Sequence, residues 1–295
     1  MRRTSYERKK QWIAYLFLMP WMIGMIFFFI QPFIESLIYS FSVVEIKPGE
    51  LIVEWVGFEN YKKAFLEDPN VKKAIIESST SVLYQVPLVT IFSMFVATLL
   101  NQKFRGRMFM RAVFFMPVII AGSMVIPFIN GDAFSNAILE GTRGSTMFEV
   151  HSISMMLKEV GINSNVVESI TKIINDIFNL SWRSGIPILL FLASLQSIPH
   201  SFYEVAEIDG ANKWVCFWKV TFPMMTPIMM TVIVYTTIDG FIDSANPLVQ
   251  IIYNASNTLD IPYASALAWI NMIITLVIVG VIYKVLNSKV SYYVE

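Results

Sequence analysis

The stretch YASALAWINMIITLVIVGVIYKVL, residues 263–286, has Lys284 as its one charged residue. The hydrocarbon core of a bilayer is about 30 Å thick, and roughly 20 apolar helical residues cross it. This stretch is therefore long enough to span a membrane. The whole chain has the same character, because 55% of its 295 residues are hydrophobic and 15% are charged. Soluble domains carry roughly 25% charged residues.

Five further stretches have the length and composition of membrane spans. They are predicted at residues 12–41, 79–100, 112–129, 177–198 and 223–243. The first is longer than the apolar core of a cleaved signal peptide, about 7–15 residues, so we interpret it as a retained anchor. With residues 263–286, these stretches predict an all-α polytopic membrane protein. It would have six transmembrane helices in a single domain over residues 1–295.

Most of the basic residues lie in segments on one side of the six predicted spans. They occur in the tail 1–11, between the second and third spans, in the loop 199–222 and at the chain end. Because positively charged loops stay in the cytoplasm, both termini are predicted to be cytoplasmic. The outward loops would then be residues 44–78, 131–176 and 244–262. Apolar residues recur at about helical spacing in 131–176, which predicts short helices over the outer mouth.

Composition and missing motifs exclude several function classes. The net charge is zero, which gives no basic excess for nucleic acid. One cysteine allows no internal disulfide, and two histidines cannot form a histidine-rich metal site. The sequence contains no G-x-x-x-x-G-K-[ST] nucleotide-binding run and no nucleophile paired with a base. We expect no bound cofactor or metal, and no enzyme activity in this chain.

The predicted cytoplasmic loop 199–222 begins with PHSFYEVAEIDGA, residues 199–211. Ser201 followed by Glu204 has the spacing of a capping box, which predicts the start of a short helix. Gly210 predicts its end, since glycine adopts the left-handed conformation readily. Glu204, Glu207 and Ile208 would share one exposed face. Such a helix is either an ordinary interfacial connector or a docking element for another protein.

The same loop resembles a known family motif. LQSIP at 195–199, EVA at 204–206 and DGA at 209–211 resemble the EAA loop of binding-protein-dependent ABC permeases, with Val205 in place of the usual middle alanine. VGFENY at 56–61 and RAVFFMP at 111–117 resemble the carbohydrate-uptake branch of that family. The resemblance covers nearly the whole chain.

The resemblance implies a fold like that of a type I ABC importer permease. The chain would be one permease subunit of a heteromeric complex that imports a sugar or oligosaccharide across a bacterial plasma (inner) membrane by alternating access. Its partners would be a second permease, an extracellular solute-binding protein and a dimer of ATPase subunits, which would bind ATP and Mg²⁺. The loop would form the coupling helix that inserts into the ATPase. Its coupling residues would be Glu204, Val205, Ala206, Glu207, Asp209, Gly210 and Ala211.

Polar residues inside the predicted spans suggest where a substrate passes. A central aspartate costs about 2.5–3.5 kcal/mol on insertion scales, so such groups usually face a cavity or a partner. Tyr235, Asp239 and Asp243 follow one another at helical spacing in the fifth span. They line either the transport pathway or a contact with the second permease. The candidate pathway residues are Tyr235, Asp239, Gly240, Asp243, Trp269 and Asn271.

Two other classes of protein fit a polytopic chain. A permease for another small solute, such as a glycerol phosphate ester, would need basic residues in mid-membrane. The predicted spans contain Arg183 near an outer end and little else of this kind, so a neutral solute fits better. A membrane protein without transport function, an enzyme or a scaffold, is the other alternative. An enzyme would need clustered catalytic residues, and the spans contain none.

Overall fold

The computed structural model describes residues 5–47, 50–123 and 164–287, which are mainly helical. The N-terminal helices are α1 (Ser5–Met25), α2 (Gln31–Ser40), α3 (Glu59–Lys62), α4 (Pro69–Asn101) and α5 (Arg107–Ser123). The later helices are α6 (Ser164–Ser197), α7 (His200–Ile208), α8 (Lys213–Cys216), α9 (Phe222–Ile242), α10 (Pro247–Asn257) and α11 (Ile261–Asn287). Short π-helical segments occupy Ile26–Ile30, Lys63–Glu67 and Phe217–Thr221.

Five candidate membrane spans occur in the part of the chain that the structure describes. They are Tyr15–Ser40, Pro69–Asn101, Ser169–Ser197, Lys213–Asn257 and Ile261–Asn287. The chain is therefore a multi-pass membrane protein. Helix α5 covers the start of the predicted span 112–129, whose end lies outside the described residues. The count of six spans stays a prediction.

The first span is helical with a π-helical segment near its middle. Pro32 lies at the start of α2, directly after this segment. A proline has no N–H to bond the carbonyl four residues earlier, and its ring clashes with that carbonyl. The wider π turn accommodates this local loss of the α-helical pattern.

One β-hairpin departs from the all-α prediction. Strands β1 (Ser42–Lys47) and β2 (Glu50–Trp55) pair antiparallel directly after α2, inside the predicted outward loop 44–78. Both strands are rich in valine and isoleucine, whose branched side chains favour extended structure. Over the described residues the fold is thus mostly helical, with one hairpin.

Two helices extend well beyond the predicted spans. Helix α4 begins at Pro69 rather than at residue 79, and α6 begins at Ser164 rather than at residue 177. The segments 44–78 and 131–176, predicted as outward loops, are therefore partly helical. Val71 and Ala74 show the reason, because they are buried although they lie outside the apolar stretch. Packing of these side chains on one face of α4 stabilises a helical segment that is too polar to lie in the bilayer. The rest of the loop 131–176 lies outside the described residues.

The chain divides into two compact units, residues 1–79 with 245–276 and residues 80–244 with 277–295. The core of the first unit contains Ala64, Val71, Ala74, Leu248, Tyr263, Leu267 and Ile270. In the second unit, α6 packs against α5 and α9. Its core contains Val96, Ala97, Leu100, Ile188, Phe191, Leu192, Leu195, Met225 and Val232. A single domain over the whole chain stays a prediction.

Candidate functional site

Helix α7 forms the first part of the loop 199–222, as predicted, but it does not begin at a capping box. Pro199 is the N-cap residue, with φ −60° and ψ 138°, and no side chain caps the helix. Ser201 lies one residue inside the first turn, where its backbone is already helical. The predicted capping box of Ser201 and Glu204 is therefore wrong, because the helix begins directly after Pro199 and Ser201 is its second residue rather than its N-cap.

Gly210 ends α7, as predicted. Its φ is +81°, in the left-handed region that favours glycine. The amide of Gly210 donates to the carbonyl of Glu207 at 3.0 Å, and the amide of Ala211 donates to that of Ala206 at 2.9 Å. This pair of bonds is a Schellman motif, which satisfies carbonyls at the helix end. The chain therefore leaves α7 in one defined direction.

The sequence analysis missed two side-chain interactions in the loop 199–222, a cap on α8 and a contact from α7 to the π-helical segment. Asn212 caps α8, where its Oδ1 accepts from the amide of Val215 at 2.9 Å. The hydroxyl of Tyr203 lies 3.0 Å from Thr221 Oγ1. A groove of about 620 Å³ lies along these helices, and Phe202, Val205 and Lys219 are among its lining residues. Asn212 carries a recognisable N-cap signal, whereas nothing local identifies the Tyr203 contact.

The outer face of α7 combines acidic and apolar side chains. Val205 is 59% exposed and Ile208 is 85% exposed. Glu204 and Glu207 are also exposed. Trp214 extends the apolar surface onto α8. An apolar patch with polar neighbours is typical of a surface that another protein covers.

The predicted coupling residues form one connected surface. Exposed members are Glu204, Val205, Glu207, Asp209 and Gly210, and half-buried members are Ala206 and Ala211. The two alanines line the groove, as do Val205, Asp209 and Gly210.

A polar cluster occupies the second unit where α9 ends. Arg183 on α6 forms an ion pair with Asp243 and donates to Gln85 on α4 at 2.7 Å. The side chains of Arg183 and Asp243 are 18% and 24% exposed. Asp239, one turn before Asp243, lines a small cavity with Arg183, Gln85 and Gly240. Asp243 therefore has a partner within the protein, since Arg183 neutralises it.

Tyr235 and Gly240 occupy different surroundings on α9. Tyr235 is half-buried one turn before Asp239. Gly240 is buried, and a Cβ placed there would lie 3.0 and 3.3 Å from the two Cγ atoms of Val82. Gly240 therefore allows α9 to approach α4 closely at Val82, beside the small cavity that Asp239 lines.

The remaining predicted pathway residues, Trp269 and Asn271, belong to the first unit. The ring of Trp269 lies 4.9 Å from that of Phe33. Asn271 is half-buried within α11, and its carbonyl accepts from Thr275 at 2.8 Å. Trp269 therefore packs against the first span within this unit, and a pathway role for either residue stays a prediction.

Comparison with known proteins gives a family and several relatives. Residues 177–292 match the family described as "Binding-protein-dependent transport system inner membrane component". The chain is 31% identical to the probable ABC transporter permease protein YesP of Bacillus subtilis, covering 100% of this chain and 96% of that protein. It is 28% identical to the multiple sugar-binding transport system permease protein MsmF of Streptococcus mutans, over 96% of each. It is 27% identical to the sn-glycerol-3-phosphate transport system permease protein UgpA of Escherichia coli, over 96% and 97%.

Solved structures share the fold. A chain of the bacterial alginate ABC transporter, solved with an alginate pentasaccharide-bound periplasmic protein, superposes with a TM-score of 0.62 at 18% identity. That match covers 99% of this chain and 100% of the other. A second structure of an alginate-importing ABC transporter gives a TM-score of 0.63 at 19% identity. At these identities the likeness shows the fold alone.

Proposed function

This chain belongs to the binding-protein-dependent ABC transporter permeases, and on that premise we propose that it carries a sugar or oligosaccharide across a bacterial inner membrane. Six spans, with the third begun by α5, would place both termini in the cytoplasm. A second permease chain would complete the pathway, because six helices form a thin wall around an oligosaccharide. An extracellular solute-binding protein would deliver the substrate.

Two observations support a neutral sugar. Relatives named for multiple sugars and for arabinooligosaccharides match over much of the chain. A phosphate ester, suggested by the glycerol-3-phosphate relatives, would need a cation free to bind it. Arg183 is already paired with Asp243 and lies near Asp239. This cluster has one positive and two negative side chains, which disfavours an anionic solute.

We propose that α7 is the coupling helix, which docks on an ATPase subunit that binds ATP and Mg²⁺. The observation that carries the proposal is the fixed helix with an exposed face, closed by Gly210 and displaying Val205 and Ile208 beside Glu204. Interface energy is usually concentrated in a few well-packed side chains. Glu204→Ala should therefore loosen the ATPase while leaving folding and membrane insertion intact.

A matched pair of glycine variants tests the coupling helix. Gly210 and Gly57 both have positive φ, +81° and +66°, and neither has an atom within 4 Å of an added Cβ. Alanine at either position should cost roughly 1–2 kcal/mol of local strain. Gly210→Ala should reduce co-purification of the ATPase, and Gly57→Ala should not. If both variants retain the ATPase equally, α7 is only a connector.

We propose Asp239 as the pathway residue, with Tyr235 beside it. A carboxylate accepts hydrogen bonds from sugar hydroxyls with both oxygens. Asp239→Leu should block uptake, whereas Asp239→Asn should retain part of it, with assembly and basal ATPase activity unchanged in both. Normal uptake by the leucine variant would remove Asp239 from the pathway. Failure of that variant to assemble would instead assign Asp239 to interhelical contact.

A further inference from the structure

The short connection between α4 and α5 is basic. Residues 102–106 form the turn that joins the two helices. Lys103 and Arg105 lie in this turn and are exposed, whereas Arg107 and Arg111 lie in the first two turns of α5 and are half-buried. None of the four forms an ion pair with a residue that the structure describes. The described part of the chain therefore leaves four positive charges at this turn without a counter-charge.

The two arginines on α5 also lack hydrogen-bond acceptors. Because they are four residues apart, they share one face of the helix. The Nε atoms of both are shielded from solvent and have no acceptor among the described residues. The Nη2 atom of Arg111 makes one long bond, of 3.4 Å, to the carbonyl of Leu100. Desolvation and the charge of Arg107 lower the pKa of Arg111. An anion beside the pair would offset this repulsion and accept from several of the guanidinium donors.

Exposed apolar side chains alternate with these cations along the chain. Met108 is 87% exposed and Phe109 is 71% exposed, and Phe104 in the turn is exposed as well. Water alone would be a poor environment for such side chains next to one another. A segment that combines basic side chains with exposed aromatic and apolar ones is typical of the membrane interface.

The turn is too short to extend far from the membrane surface. The apolar run of α4 ends at Leu100, and the predicted span 112–129 begins directly after Arg111. An extended residue spans at most about 3.6 Å, so a turn of this length reaches out and back by roughly 10 Å at most. The polar layer on each side of a bilayer core is about 5–8 Å thick. The four cations therefore lie near the depth of the lipid phosphates.

We propose that Arg107 and Arg111, with the two cations of the turn beside them, bind the phosphate of an anionic phospholipid. A guanidinium matches phosphate oxygens with two parallel hydrogen bonds, and clusters of basic residues next to a membrane span attract anionic lipids. The acyl chains would lie along Met108 and Phe109. A lipid fits this surface better than a protein does, because the surface is both cationic and strongly apolar at the edge of the bilayer. The inference goes beyond transport, and it rests on the spans of α4 and α5 rather than on the solute.

Fluorescence quenching by brominated lipids tests the proposal at this position. Cys216 is the one native cysteine, so a Cys216→Ser/Met108→Cys chain accepts a single fluorophore beside the arginines. The assembled importer is placed in nanodiscs of phosphatidylglycerol and phosphatidylcholine in equal parts, with brominated acyl chains on one lipid or the other. The ratio of quenching by the two lipids measures which of them occupies the site. A second series adds inorganic phosphate at constant ionic strength.

We expect phosphatidylglycerol to quench the fluorophore several-fold more than phosphatidylcholine does, with or without inorganic phosphate. In Arg107→Gln/Arg111→Gln the ratio should fall to about one, because the positive charge at the site is removed. Arg107→Lys/Arg111→Lys should keep part of the preference, since the charge remains but the two-bond geometry does not. The control Lys62→Gln/Lys72→Gln removes two exposed charges from the predicted outward loop 44–78 and should leave the ratio unchanged.

Four results would overturn the proposal. A ratio near one in the chain that keeps both arginines would do so even if no variant assembles. An unchanged ratio after the glutamine changes would show that the arginines do not select the lipid. Weak quenching by both lipids would mean that a protein, such as the ATPase or the second permease, covers the surface. Loss of the preference on addition of inorganic phosphate would assign the site to the free ion instead.

Discussion

The ion pair of Arg183 and Asp243 should stabilise the folded chain only while both side chains are present. Both side chains are largely withdrawn from solvent, at 18% and 24% exposure. Removing one member of a buried pair costs about 3–5 kcal/mol, whereas removing both is often nearly neutral. Because a fifth of each side chain stays exposed, we expect about 3 kcal/mol for a single change. The double variant Arg183→Gln/Asp243→Asn should recover about 1–3 kcal/mol relative to the sum.

The two single variants should differ in a defined order. Asp239 lines the same small cavity as Arg183. Arg183→Gln therefore leaves two carboxylates without their cation, whereas Asp243→Asn leaves Arg183 able to interact with Asp239. The arginine change should be the more destabilising one.

The assay is unfolding of the purified chain in bicelles by increasing fractions of a denaturing detergent. Lys63 and Asp260 provide an internal control, as their ion pair spans 3.1 Å but is 47% and 40% exposed. Such exposed pairs contribute about 0–1 kcal/mol. If Lys63→Gln costs as much as Arg183→Gln, or if the Arg183 and Asp243 changes are additive, the reasoning about this cluster is refuted.

Two further changes test the packing around the site. Gly240→Ala should lower the free energy of unfolding by about 1–3 kcal/mol through overpacking against Val82. Adding Val82→Ala to that variant should recover part of the loss in the bicelle assay, and strictly additive effects would show that the clash lies elsewhere. Asn246→Ala should cost about 1–2 kcal/mol, because Asn246 caps α10 at the Leu248 amide and accepts from Ser78 at 2.6 Å; an unchanged unfolding midpoint would contradict that role.

Apolar length was enough to predict the spans in α4, α9 and α11, but not where those helices end. Hydropathy identifies only the apolar part of a helix, which can lie in the bilayer core. The extension of α4 to Pro69 depends on Val71 and Ala74, which pack on residues far along the chain. The sequence analysis missed the hairpin because its alternating apolar pattern is short. The hairpin also lies in the segment 44–78, which was predicted as a loop between two spans.

In the candidate site, features set by neighbouring residues could be predicted from the sequence, whereas contacts between helices could not. Gly210 was found because a left-handed helix end has a residue preference that requires no tertiary information. The capping box failed because Pro199 already begins the helix. The partner of Asp243 could not be read from the sequence, since Arg183 lies on another helix and has no spacing relation to it. The close contact of Gly240 with Val82 has no local signal either, because Val82 lies on another helix.

The docking of α7 on an ATPase is tested most directly by photo-cross-linking from its exposed face. Because Cys216 is the one native cysteine, the background is Cys216→Ser, and a benzophenone maleimide is attached at Val205→Cys or Ile208→Cys. Tyr253→Cys on α10, in the predicted outward loop 244–262, is the exposed control. Adducts formed in native membranes are identified by mass spectrometry. We predict that positions 205 and 208 capture a protein with the G-x-x-x-x-G-K-[ST] nucleotide-binding motif, and that position 253 does not. Capture of that protein from position 253 alone, or from none of the three while the complex still imports its solute, would contradict the account.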